Sequence, residues 1–186
     1  MQSPLWKQPL ERSLYKTKNK PESRFMQLAT SGLDGSPQCR TVVFRGYSNM
    51  HQLRFITDSR SDKWLELTQN PKVSICWYFT DTREQYRFSG EALLTSDLEE
   101  KTQQWQTLSQ SGKKQFLWGT PKSVRQDSYS IAVDDNNIPQ LPPKHFAVVD
   151  VNVESLDYLT LRGDPQNRIL YRQNEQGHWL QNRVIP

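Results

Sequence analysis

From Arg24 onward, short runs of β-branched and aromatic residues alternate with tight turn signals, and this punctuation limits the fold more than any other feature. Phe25-Met26-Gln27-Leu28-Ala29-Thr30 and Cys39-Arg40-Thr41-Val42-Val43-Phe44-Arg45 flank Asp34-Gly35, a hairpin signal because glycine tolerates positive φ. Asn49-Met50-His51-Gln52 is the next turn, before a third strand at Leu53-Arg54-Phe55-Ile56-Thr57. Val73-Ser74-Ile75-Cys76-Trp77-Tyr78-Phe79 reads as a continuous apolar run, which predicts a strand buried on both faces. Glu84 to Leu94 alternates as its antiparallel neighbour. Five such strands with one small helix predict a closed barrel rather than an open sheet.

The flanks are helical. Trp6, Leu10, Leu14 and Tyr15 have helical spacing within residues 1–20, with Ser3 as the cap and Pro4 at the first helical position. Ser61 to Leu67 is a short helix capped by Asp58, Ser59 or Ser61 and closed by Asn70-Pro71, and Leu98 to Leu108 is another, capped by Asp97. Residues 119–144 carry Pro121, Pro139, Pro142 and Pro143 and read as a loop. Strand character resumes over 145–186, at His145 to Val151 and Leu156 to Arg162. A closing hairpin, Arg168 to Tyr171 with Trp179 to Ile185, follows the turn Asp164-Pro165-Gln166-Asn167. The 186 residues therefore read as one domain, mainly β with flanking helices.

Composition sets what this domain can do. Six Trp, seven Tyr and seven Phe make a core built on large rings. The net charge of +4 comes from 24 basic and 20 acidic residues scattered along the chain, which argues against a nucleic-acid partner. The one dense basic run, Lys16-Thr17-Lys18-Asn19-Lys20, reads as a solvated helix end. Cys39 and Cys76 belong to no metal-type spacing and read as buried thiols, and His51, His145 and His178 are dispersed. The first residues lack the apolar region of a signal peptide and no stretch suits a membrane helix, so the expected setting is the cytoplasm without a membrane partner.

Two segments carry chemistry. Arg40 and Arg45 bracket Val42-Val43-Phe44, so by alternation they fall on opposite faces of their strand, and a charge facing a core needs a partner. Thr57, Arg60, Ser61 and Lys63 gather hydroxyls, cations and a helix start, the ingredients of a phosphate site. No GxSxG, GxGxxG or Walker pattern is present, so any hard chemistry falls to a cofactor.

The ordered set Arg40-Thr41-Val42-Val43-Phe44-Arg45, Phe55 to Lys63, Asn70-Pro71-Lys72-Val73, Arg83-Glu84-Gln85, Asn167 to Tyr171 and Arg183-Val184-Ile185-Pro186 resembles the pyridoxamine 5'-phosphate oxidases. The closer likeness is to their FMN-binding, oxidase-related branch typical of cyanobacteria. This resemblance implies an FMN-binding split β-barrel, homodimeric, with FMN at the interface and a small-molecule substrate. It implies cofactor contacts at Arg40, Thr41, Val42, Val43, Arg45, Ile56, Thr57, Arg60, Ser61, Lys63, Gln85 and Arg168, some of them from the partner subunit. It implies an FMN-dependent oxidase or oxidoreductase.

The departures are specific. Asp62 stands where the family has an Arg before the phosphate Lys, so Arg60 or Ser61 is expected to take its place. Leu159 stands for a flavin-stacking Trp, and Asp164-Pro165-Gln166 replaces the Arg-x-His segment that grips the substrate phosphate. These losses keep a second reading open, a flavin- or tetrapyrrole-binding split barrel without turnover.

Overall fold

A computed structural model describes residues 3–95, 97–124 and 137–186; of the expected loop over 119–144, residues 125–136 lie outside the described residues. Helix α1 spans Lys7–Lys16 and is followed by a 3-10 turn at Pro21–Arg24. Ser3 and Pro4 do not open α1 as expected, since its N-cap position is Trp6 and the Lys7 amide bonds Pro4 O at 3.0 Å. The reason is the pull of the core on Trp6, which is 1% exposed and meets Phe88 and Trp179 edge-on.

The strands are β1 (Phe25–Ser31), β2 (Pro37–Val43), β3 (Leu53–Asp58), β4 (Lys72–Phe79), β5 (Glu84–Thr95), β6 (Phe146–Thr160), β7 (Asn167–Gln173) and β8 (Trp179–Val184). Helix α2 (Asp62–Gln69) separates β3 from β4. Helices α3 (Leu98–Gln106) and α4 (Gln110–Lys114), with a 3-10 turn at Gln115–Leu117, follow β5. Every paired strand is antiparallel, in the order β2-β1-β4-β5-β6-β7-β8, with β3 on the first half of β6. Arg45 N–H bonds Arg54 O at 2.8 Å and Arg54 N–H bonds Gly46 O at 2.9 Å, joining β3 back to the end of β2. Six strands thus close a barrel, and β7 and β8 hang from the second half of β6.

Three expectations are corrected. The segments expected at 145–151 and 156–162 are one strand, because Val151 and Val153 stay buried while Asn152 and Glu154 face out, and β5 runs alongside throughout. A register shift at Ser89/Gly90 lets the two strands bend together, and there a Cβ on Gly90 would stand 2.0 Å from Asn152 O.

Second, β4 is not buried on both faces: Val73, Ile75, Trp77 and Phe79 point inward, while Ser74, Cys76 and Tyr78 are exposed. The doubly buried strand is the start of β6, where Val149 and Val151 face the barrel core and Phe146 and Val148 pack with Trp105 under α3. Third, Cys39 and Cys76 are exposed rather than buried thiols, because both lie on the outward face of the same sheet.

Candidate functional site

An open cleft of about 390 Å³ lies where the end of β2, β3 and the start of α2 meet the segment after α4. Its first wall holds Thr41, Val42, Val43, Arg45, Ile56, Thr57, Asp58 and Lys63, and its far wall includes Phe116, Trp118 and Pro121. The local fold follows from a tight turn after β3. The Asp58 carboxylate accepts the Arg60 amide at 2.8 Å and Asp58 O accepts the Ser61 hydroxyl at 2.6 Å. That turn returns the chain so that Lys63 Nζ donates to Thr57 Oγ1 at 3.0 Å and to Ser61 Oγ at 3.2 Å. Ser61 spends its hydroxyl there, so the first amides of α2 have no side-chain cap.

The cleft is cationic. Among the described residues neither Lys63 nor Arg45 has a carboxylate within ion-pair distance. Burial holds the Lys63 ammonium below its ordinary range, and the Arg40 charge adds to this against Asp58, Glu66 and Asp62. Burial and then Arg24 likewise lower Arg45, whose Nε is buried with no hydrogen-bond partner. A lysine and uncapped amides at a helix start, with an arginine Nε lacking an acceptor on the same wall, favour an anion.

The other expected site residues are placed elsewhere. Arg40 donates to Glu66 at 2.6 Å and to Thr30, and Arg60 grips Asp58 through Nε at 3.0 Å and Nη2 at 2.7 Å, so neither lines the cleft. Gln85 and Arg168 lie on the outward face of the sheet, in the cross-strand row Tyr78, Gln85, Leu159, Arg168. Arg168 binds Asp157 at 2.9 and 2.7 Å and, with burial opposing, holds that carboxyl below its ordinary range. Asp62 pairs with Lys122. The far wall was missed in the sequence, where the apolar run Phe116-Leu117-Trp118 before Gly119 was its only trace. Glu66 was missed too, although its place three residues after Lys63 sets both on one helix face.

The family described as "Pyridoxamine 5'-phosphate oxidase, FMN-binding domain" matches residues 3–96. The chain belongs to this family. Pyridoxine/pyridoxamine 5'-phosphate oxidase 2 of Arabidopsis thaliana is 34% identical, over 97% of this chain and 96% of its own length. The crystal structure of a pyridoxamine 5'-phosphate oxidase-related, FMN-binding protein from Nostoc punctiforme superposes with a TM-score of 0.90 at 35% identity, covering 100% of both chains. PhzG from Burkholderia lata, solved with tetrahydrophenazine-1-carboxylic acid, shares the fold with a TM-score of 0.83 at 21% identity over 96% of this chain and 91% of its own.

FMN is the cofactor of this family's domain. The cleft fits it: Lys63 and Thr57 on its wall suit a phosphate, with Ser61 outside the lining but bonded to Lys63, and the orphaned Arg45 Nε needs an acceptor. The walls of Val42, Val43, Ile56, Phe116 and Trp118 suit a planar ring. Among the described residues no helix is long and apolar enough to cross a membrane.

Proposed function

We propose that this chain is an FMN-dependent oxidoreductase acting on a small substrate, with its cofactor sites between the two subunits of a homodimer. The observation that carries the reading is the pair of cations, Lys63 and Arg45, on one wall of a cleft whose only acid among the described lining residues, Asp58, is paired with Arg60. When bound, FMN supplies hydride chemistry between a small organic substrate and O₂ or a second substrate. The chain supplies position and electrostatics. Lys63, with Ser61 and Thr57, holds the phosphate; Val42, Val43 and Ile56 form one wall; Phe116 and Trp118 narrow the access of water.

The outward face of the sheet supports the dimer. Thr41, Gln27, Cys76, Arg87, Asp157 and Leu170 run across it in one continuous row from the cleft's edge to β7. Gln85 and Arg168 stand in the adjacent row, so a second copy on this face completes a cleft that one chain leaves open. Ultracentrifugation giving twice the chain mass supports this; a monomer at micromolar concentration refutes it.

Flavin reduction tests the activity. The FMN-loaded protein is mixed anaerobically with pyridoxamine 5'-phosphate, the compound named for its relatives, or with NADPH. Bleaching of the flavin absorbance is expected. The exposed turn Asp164-Pro165-Gln166 offers no cation for a substrate phosphate and favours the second reading, a flavin- or tetrapyrrole-binding module. A flavin that stays oxidised with amine substrates and with NADPH decides for that module.

A further inference from the structure

Glu66 is 4% exposed on α2, yet it is a carboxylate, and a buried charge persists only where partners compensate it. It accepts Thr30 Oγ1 from β1 at 2.5 Å and Arg40 Nη2 from β2 at 2.6 Å, and Arg40 also donates to Thr30. The three residues form a closed ring that fastens α2 to two strands of the barrel. Lys63 lies one turn earlier on α2, on the same face as Glu66.

We propose that Glu66 is a positioning residue of the anion site: by taking up the Arg40 guanidinium it braces α2 and leaves the Lys63 ammonium as the charge of that helix presented to the cleft. The inference rests on the reading of this cleft as the FMN phosphate site. Arg40 then acts through Glu66 rather than as a free cation, consistent with its absence from the cleft wall.

The ring also sets the charge around Lys63. The groups acting on its ammonium are Arg40 on β2, Asp58 at the end of β3, and Asp62 and Glu66 on α2. Arg45 shares its cleft wall, and Lys122 answers Asp62. Arg40 works against the ammonium form and Glu66 favours it, so the pair holds a balance that either substitution upsets in an opposite sense.

The test is FMN binding by flavin fluorescence between about pH 7 and 9.5, in wild type, Glu66→Gln and Arg40→Gln, with thermal melts of each. A site that needs the Lys63 ammonium loses affinity on the alkaline side, roughly tenfold per pH unit beyond the Lys63 pKa. In Glu66→Gln that alkaline limb is expected to begin at lower pH than in wild type, with Kd raised about tenfold at the upper end. In Arg40→Gln it is expected to begin at higher pH. A purely structural ring would weaken binding equally at every pH in both variants, and that result, or limbs that do not move, overturns the proposal. Should Glu66→Gln fail to fold, the Arg40→Gln limb alone decides. Wild type that never binds FMN refutes the cofactor reading itself; wild-type binding that is lost in Lys63→Ala but has the same pH profile in both ring variants refutes only this inference.

Discussion

Single side chains decide how tightly the cleft can hold an anion. Among the described residues neither Lys63 nor Arg45 has a carboxylate within ion-pair distance, and a hydrogen bond to a charged group contributes about 1.5 to 3 kcal/mol. Lys63→Ala and Arg45→Ala are each expected to raise the FMN dissociation constant roughly 10- to 100-fold, read by quenching of flavin fluorescence. An unchanged constant in both would mean the phosphate lies elsewhere. Arg60→Ala is expected to leave FMN affinity within about twofold of wild type, because its guanidinium is spent on Asp58.

Asp157 answers to pH. Its carboxyl is held below the ordinary range, first by the Arg168 hydrogen bonds, so its contribution is present above the unfolded value near about 3.9 and is lost as pH falls through the folded value. Acid titration of the thermal midpoint should show a limb that Asp157→Asn removes, worth less than about 1 kcal/mol because the pair is partly exposed.

At the scale of elements, the long β5–β6 ribbon holds the barrel together, and its weak point is the register shift at Gly90. Gly90→Ala places a methyl group 2.0 Å from the backbone oxygen of Asn152, a contact that no rotamer relieves. A loss of roughly 1 to 3 kcal/mol or more is expected in denaturant unfolding. A midpoint unchanged from wild type would show that the ribbon can shift its register. Trp105 is the other anchor: it is 0% exposed, edge-on to Phe146 at 5.2 Å and to Phe116 at 6.0 Å, and it donates to Pro139 O. It ties α3 to β6 and, through Phe116, to the far wall of the cleft. Trp105→Ala is expected to cost about 3 to 5 kcal/mol and to loosen FMN binding as well; full FMN affinity in the folded variant would separate the wall from this cluster.

At the scale of the whole molecule, the outward sheet face gives a direct test of assembly. Tyr78 is 41% exposed on it, in the row of Gln85 and Arg168, so Tyr78→Glu is expected to produce monomers by ultracentrifugation and weaker FMN binding together. Monomers that bind FMN like wild type would remove the second copy from the site.

Apart from β6, expected as two strands, the strands, the hairpin at Asp34-Gly35, α2 and α3 were legible in the sequence because each rests on local period and turn chemistry. So was the cation-and-hydroxyl cluster from Thr57 to Lys63, since a helix start and its neighbours are close in the chain. The side of burial was not legible. Val73–Phe79 and Phe146–Val151 are similar as strings, and only the packing of α3 on β6 makes the second doubly buried while leaving Cys76 and Tyr78 outside. Nor could the string say which arginines were free. Arg40, Arg60 and Arg45 carry the same charge, and it was the long-range placement of Glu66 beside Arg40, and of no acid beside Arg45 among the described residues, that separated a paired arginine from a candidate ligand. Local preferences are set by neighbours in sequence; compensation of charge and covering of a face depend on residues that meet only when the barrel closes.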